Sequence, residues 1–180
     1  MKKILLILLS LFIFTGCDTM NTPTKRTEEY LSKYVSLDDD VVSDVDLMVE
    51  TENFNDDNSK TYKKVIERQL SDLKYEVVSE EVNGDSATVT VKLTVYDLYK
   101  AKANSQTYYD NNQSEFYDNN NVLDNNKYSK YSLDEMYKTT DKVDYTVEFD
   151  LQKVDDTWTI QDIDNTTKEK IYGLYNYERK

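Results

Sequence analysis

An α+β fold built on a four-stranded antiparallel sheet is what three features of the chain predict. Ala87, Val89, Val91, Leu93 and Val95 are apolar while Thr88, Thr90, Lys92 and Thr94 between them are polar, the period of two of a strand with one wet face. Val143, Tyr145, Val147, Phe149 and Leu151 repeat the pattern against Asp144, Thr146, Glu148 and Asp150. Segments with apolar residues at helical spacing flank both. Strands with a single apolar face need cover on that face only. The order helices–hairpin–helices–hairpin–helix therefore implies a sheet wrapped by helices on one side.

Taken in order, the elements follow from local chemistry. Pro23, the only proline, suits the first turn of a helix, and Tyr30, Leu31, Tyr34 and Val35 then share one side. Asp38-Asp39-Asp40 supply an N-cap and an acidic first turn for a second helix, whose apolar face is Val41, Val42, Val45, Met48 and Val49. Asn53 to Asn58 reads as a loop. Tyr62, Val65, Ile66, Leu70 and Leu73 mark a third helix, with Gln69 interrupting the stripe.

The first hairpin comprises Tyr75 to Val82, the turn pair Asn83-Gly84 and the strand beginning at Ala87. A two-residue Asn83-Gly84 turn would set Glu76 against Val91 and Glu80 against Ala87, burying glutamates. A three-residue loop, Asn83 to Asp85, sets Tyr75 against Leu93 and Val77 against Val91. The apolar pattern selects this bulged form. Two helices follow, about Tyr96 to Tyr117 and Asn126 to Thr139, separated by the asparagine-rich "DNNNVLDNN". The second hairpin turns around Asp155-Asp156 into Trp158 and Ile160. A last helix follows Thr166, with Glu169 three residues on as a capping box, and uses Ile171, Leu174 and Tyr175.

The stretches "YEVVSEEVNGDSATVTVKLTVYD" and "VDYTVEFDLQKVDDTWTIQDI", in this element order, resemble the cystatin-like or nuclear transport factor 2-like cone found in many small bacterial lipoproteins of unknown function. The likeness is one of pattern and spans roughly Lys25 to Lys180. It implies a sheet curled around an interior that either is filled or holds a ligand.

The start of the chain predicts its destination. Met1-Lys2-Lys3 precedes an uncharged run from Ile4 to Phe14, the layout of a secretory signal peptide and too short to span a bilayer. The run ends in Phe14-Thr15-Gly16-Cys17, which is similar to the lipobox of bacterial lipoproteins: an apolar residue, a small one, Gly or Ala, then Cys. That resemblance implies a diacylglyceryl group on Cys17 and cleavage between Gly16 and Cys17. Residues 1–16 are then the signal, 17–24 the lipidated cysteine with a polar tether, and 25–180 a single domain. Two acyl chains anchor durably where one binds only marginally. A single cysteine allows no internal disulfide.

Composition excludes several classes of function. Loss of Lys2 and Lys3 takes the formal charge from −13 to −15, a balance that argues against nucleic acid and against electrostatic adhesion to anionic lipid. Attachment to the membrane must come from the lipid. The absence of histidine removes Ser-His-Asp and Cys-His nucleophile systems, histidine metal sites and a histidine pH switch. No phosphate-binding loop is present. "DNNQSEFYDNNN" offers Asp110, Asn112 and Ser114 as oxygen ligands but lacks the glycine and the glutamate of a calcium loop, so no metal or other cofactor is expected.

Tyrosine is abundant between the hairpins. Tyr99, Tyr108, Tyr128 and Tyr131 are the candidates for an aromatic ligand-binding wall, although Tyr128, Tyr131 and Met136 also have the spacing of a packed core face. Asp97, Tyr145 and Asp150 could be named for proton transfer, but no pair has a spacing that catalysis demands, and no catalytic residue is assigned. The expectation is a lipid-anchored extracytoplasmic domain that binds a small ligand or an envelope protein. The alternatives are a cone-fold enzyme acting on a small or lipidic substrate, and a structural or adhesive surface protein.

Overall fold

A computed structural model of the chain describes residues 21–178. The predicted signal segment 1–16, with Gly16, and the predicted lipidation site Cys17 lie outside the described residues. Three helices lead: α1 (Pro23–Ser36), α2 (Asp39–Thr51) and α3 (Asp56–Ser71). Strands β1 (Lys74–Asn83) and β2 (Ser86–Tyr96) form the first hairpin. Helix α4 (Leu98–Asn111), a 3-10 turn (Gln113–Phe116) and α5 (Asn125–Lys138) make the insert. Strands β3 (Lys142–Val154) and β4 (Thr157–Ile160) form the second hairpin, and α6 (Asn165–Ile171) follows. The sheet is antiparallel throughout, in the order β1-β2-β3-β4. The fold is α+β, as the periodicities predict.

The central pair β2–β3 sets apolar residues opposite one another: Val89 against Phe149, Val91 against Val147, Leu93 against Tyr145. On the other face Thr88 donates to Asp150 (2.9 Å) and Thr94 to Asp144 (2.6 Å). Helices cover the apolar face alone. Leu31 of α1, Ile66 and Leu70 of α3, Leu93 and Phe149 are fully buried between the layers, each worth about 1.5–3 kcal/mol of transfer energy. The interior that a cone would offer to a substrate is filled by these side chains.

The first hairpin keeps the expected partners, Tyr75 with Leu93 and Val77 with Val91, but reaches them differently. The loop is the two-residue Gly84-Asp85, closed by Asn83 against Ser86, and the extra residue is Val78, where the register shifts. Gly84 has φ 63°, the positive φ that a type II′ turn requires at its first central position. The bulge moves Glu80 to the helix side, opposite Val89. There it is not buried: its carboxylate accepts the Thr24 amide at the start of α1 (2.8 Å). The first turn of α1 carries no acidic residue, so Glu80 supplies the negative charge that a helix N-terminus favours.

Other boundaries also move. The loop before α3 ends at Asn55, which caps that helix by accepting the Asn58 amide (2.9 Å). The helix predicted over 96–117 stops at Asn111 and hands over to the 3-10 turn. The cap of α6 is Asp164, accepting from Thr167 (2.5 Å), instead of Thr166; Leu174 and Tyr175 lie beyond the helix. At the second hairpin Asp155 and Asp156 both take positive φ (48° and 62°) between Val154 and Thr157, as a type I′ turn demands. The ordered body begins before Lys25. Asn21 donates to the Asp156 carbonyl and accepts the Trp158 amide (3.2 Å).

Several carboxylates are held below their ordinary range: Asp118 by the amides of Val122 and Asn120, Asp144 by the Lys92 ammonium and the Thr94 hydroxyl, Asp164 by the Thr167 amide. Such groups stabilise the fold above the unfolded carboxylate value and lose that contribution as pH falls through their folded value. Burial pushes the Tyr172 and Tyr177 phenols up to about 12. Their contribution is complete below the unfolded value of 10.0 and lost as pH rises through the folded one. With no histidine to titrate between, the urea midpoint should be level from about pH 5 to 9 and fall below about pH 4 and above about pH 10. A step near pH 6.5 in denaturation curves would contradict this.

Candidate functional site

The insert is hung from α3 at both ends. Asn58 donates from its side-chain amide to the Asn126 carbonyl at the start of α5 (3.1 Å). At the other end Arg68 donates to the carbonyls of Tyr137 (2.8 Å) and Thr139 (3.0 Å), and its guanidinium sits 3.8 Å from the Tyr96 ring centre. A cation on the last carbonyls of a helix is favourable both as a hydrogen bond and toward the helix dipole. Helix α5 therefore runs alongside α3 in the same direction, and α4 lies antiparallel on its other side, with Lys100 reaching Asp141 (2.8 Å).

Between these helices lies a groove of about 450 Å³, within the size range of small-ligand sites. Ser129, Ser132, Leu133 and Met136 of α5 line it. Phe54, Glu52 and Tyr62 come from the α2–α3 side, Tyr99 and Lys102 from α4, and Leu174 and Asn176 from the chain after α6. Ser132, Leu133 and Met136 are themselves buried, so the bottom is part of the packed structure. Glu52 and Lys102 bring opposite charges from opposite sides of α5.

Of the four tyrosines singled out in the sequence, the structure places Tyr99 and Tyr128 on this groove. Tyr108 and Tyr131 lie on another, more polar hollow with Asn104, Glu135 and Lys138. Tyr108, Tyr128 and Tyr131 nonetheless belong together, around Phe116. The Phe116 ring, 4% exposed, stands 5.8 Å from Tyr128, 5.6 Å from Tyr131 and 6.3 Å from Tyr108. Tyr108 and Tyr131 stack at 4.8 Å. These rings form a satellite core for the insert, and a continuous aromatic wall is not formed. Tyr99 instead packs edge-on against Tyr177 at 5.0 Å, its backbone amide donating to the Gly173 carbonyl (3.0 Å). Phe116 is the residue that sequence reasoning missed; being the only phenylalanine in the insert was the available signal.

The Tyr62, Tyr128 and Tyr108 phenols stay protonated at neutral pH. Burial raises Tyr62, with the Glu52 charge adding to it, and burial raises Tyr128 in the same way beside Asp110. Tyr108 is raised by donating to Glu115 (3.0 Å). A neutral phenol can donate a hydrogen bond.

Asp97 and Tyr145 lie close enough for the Asp97 charge to act on the phenol, while Asp150 stands apart from both. Asp97 caps α4 through the Lys100 amide (3.0 Å) and accepts the Tyr177 hydroxyl (3.1 Å). Tyr145 faces the helices, where burial and then the Asp97 charge raise its pKa, and neither lines the groove. Asp150 is on the wet face with Thr88. Among the described residues no group of three or more acidic or cysteine side chains is arranged to hold a metal. None of the described helices is long and apolar enough to cross a membrane.

No protein-family model matches the chain, and no curated protein or solved structure is significantly similar to it.

Replacing Phe116 by Ala should cost about 3 kcal/mol and erase much of the near-ultraviolet tyrosine circular dichroism, while chemical shifts in β2 and β3 stay in place. An unchanged urea midpoint would contradict the satellite core.

Proposed function

We propose that the chain is a lipid-anchored extracytoplasmic binding protein, held at the membrane through Cys17 and taking a small, partly aromatic ligand in the groove beside α5. The observation that carries this reading is the placement of the only cysteine, directly after Gly16 at the end of an uncharged apolar run. That is where acylation would need it. The acidic body offers no attraction to anionic lipid, so the acyl chains supply the attachment.

Binding is favoured over catalysis by what surrounds the groove. Phe54, Tyr62, Tyr99 and Tyr128 give it aromatic surface, Asp97 and Asp150 are already engaged in a helix cap and a sheet contact, and the space between sheet and helices is occupied by Leu31, Ile66 and Phe149. Glu52 and Lys102 on facing walls suit a ligand that carries charge beside an apolar body. The one-sided helix layer and the element order support the cone-like reading of the domain.

Two variants of the full chain test the two halves of the reading. Cys17→Ser should leave the protein unprocessed or release it from the membrane fraction, and should abolish acyl labelling. Ser132→Phe, which fills the groove, should leave fractionation unchanged and reduce the fluorescence enhancement of 1-anilinonaphthalene-8-sulfonate, an aromatic anion matched to the phenols and Lys102. Unaltered labelling in the first variant, or unaltered dye response in the second, would overturn the corresponding half.

A further inference from the structure

The sheet has two ends, and the connections among β1, β2 and β3 and the turn into β4 sort between them. Both hairpin turns, Gly84-Asp85 and Asp155-Asp156, are at one end, linked by the Lys153 amide donating to the Asp85 carbonyl (2.7 Å). The start of the described chain is fastened to this same end. Asn21 bonds to Asp156 and Trp158 in the second hairpin, and Thr24 bonds to Glu80 in the first. The other end carries the insert. There Tyr96 pairs with Lys142, α4 departs, and Tyr99 of the groove bonds to Gly173. Strand β2 runs from Ser86 to Tyr96 between the two ends, a separation of about 30 Å at ~3.3 Å per residue.

From this arrangement, and resting on the lipid-anchor reading above, we propose an orientation: the domain stands on the bilayer with both hairpin turns toward the lipid and the groove at the far end, facing away. Only residues 18–20 separate Cys17 from Asn21. Four residue steps reach at most about 14 Å even when fully extended, less than half the length of the sheet. The leash therefore holds the turn end close to the headgroups whatever else acts on the domain.

Charge decides the tilt. The wet face of the sheet carries Glu76, Asp144, Glu148 and Asp150 against Lys74, Lys92 and Lys142, and the turn end itself carries Glu80, Glu81, Asp85, Asp155 and Asp156 against Lys25, Arg26 and Lys153, so acidic groups are in excess on both. An anionic leaflet repels such a body within about a Debye length, ~8–10 Å. The turn end can retreat no farther than the leash reaches. The rest of the body is free to rotate outward, which lowers the repulsion further. The Tyr99 and Leu174 part of the groove, beside the Tyr96 end of β2, then stands on the aqueous side, where it meets water-borne ligands and not acyl chains. This orientation disfavours a lipidic substrate.

The test is energy transfer from the full, processed chain on vesicles of phosphatidylethanolamine and phosphatidylglycerol that carry an acceptor dye on the headgroups. A donor is attached at Asp85→Cys in the first turn or at Thr140→Cys between α5 and β3; both positions are exposed, and an acylated Cys17 does not react. Transfer from position 85 should exceed that from position 140 several-fold. Equal or reversed efficiencies in a chain whose N-terminal mass shows the acyl groups and which floats with the vesicles would overturn the orientation alone. An unacylated chain that does not float would overturn the anchor, and the orientation with it.

Discussion

One buried amide holds three elements of this molecule, α3, β2 and α6, together. Gln69, 1% exposed on α3, accepts the Tyr96 backbone amide at the end of β2 (2.9 Å) and donates to the Ile171 carbonyl at the end of α6 (3.0 Å). Each of those backbone groups lies where its own element stops, so neither has a regular partner there. Leaving a buried donor or acceptor unpaired costs about 1–3 kcal/mol, and Gln69 satisfies one of each at once. Gly173 completes the junction. Its φ is 68°, and a Cβ at this position would stand 2.3 Å from the Tyr96 carbonyl oxygen, so no other residue lets the chain after α6 come so close to β2.

The groove depends on this junction. Tyr99 is positioned by its bond to Gly173, and Leu174 follows directly, so one wall and one end of the groove are set by where β2, α3 and α6 meet. The opposite wall is set by Arg68 and Asn58 holding α5 along α3. Tyr96 links the two: its ring receives the Arg68 guanidinium, its hydroxyl donates to Asp72 (2.7 Å), and its amide meets Gln69. The Phe116 cluster, set apart from the main core, stiffens the far side of α4 and α5 without entering the sheet packing. Fold and candidate site are thus coupled through few residues.

Much of the sheet is legible in the amino-acid order because alternation is a strong signal. Five apolar residues at every second position leave no freedom about which face of β2 is buried, and β3 repeats the constraint. The partners Tyr75–Leu93 and Val77–Val91 follow from it. The position of the extra residue does not follow, since placing it in the turn or at Val78 keeps both of these pairs. What decides is Glu80 meeting the start of α1, a contact between elements 56 residues apart. Gln69 shows the same limit. Within its own helix it is a blemish in an apolar stripe, and its purpose exists only once β2 and α6 arrive. The tyrosines were readable as packing or as binding surface; helical spacing alone cannot say that Tyr108 and Tyr131 stack while Tyr99 turns to Tyr177. For the N-terminal segment, "FTGC" resembles a lipobox, and the acylation proposed there is chemistry done to the chain that packing does not report.

Amide hydrogen exchange of the single Tyr96 N–H measures the Gln69 junction most directly. If that amide is locked by the buried side chain, it should exchange only through global unfolding, at a rate that tracks the urea-derived stability and matches amides in the middle of β2. Exchange orders of magnitude faster, at the pace of a fraying strand end, would mean that Gln69 does not hold β2 and α6 together and would contradict the account.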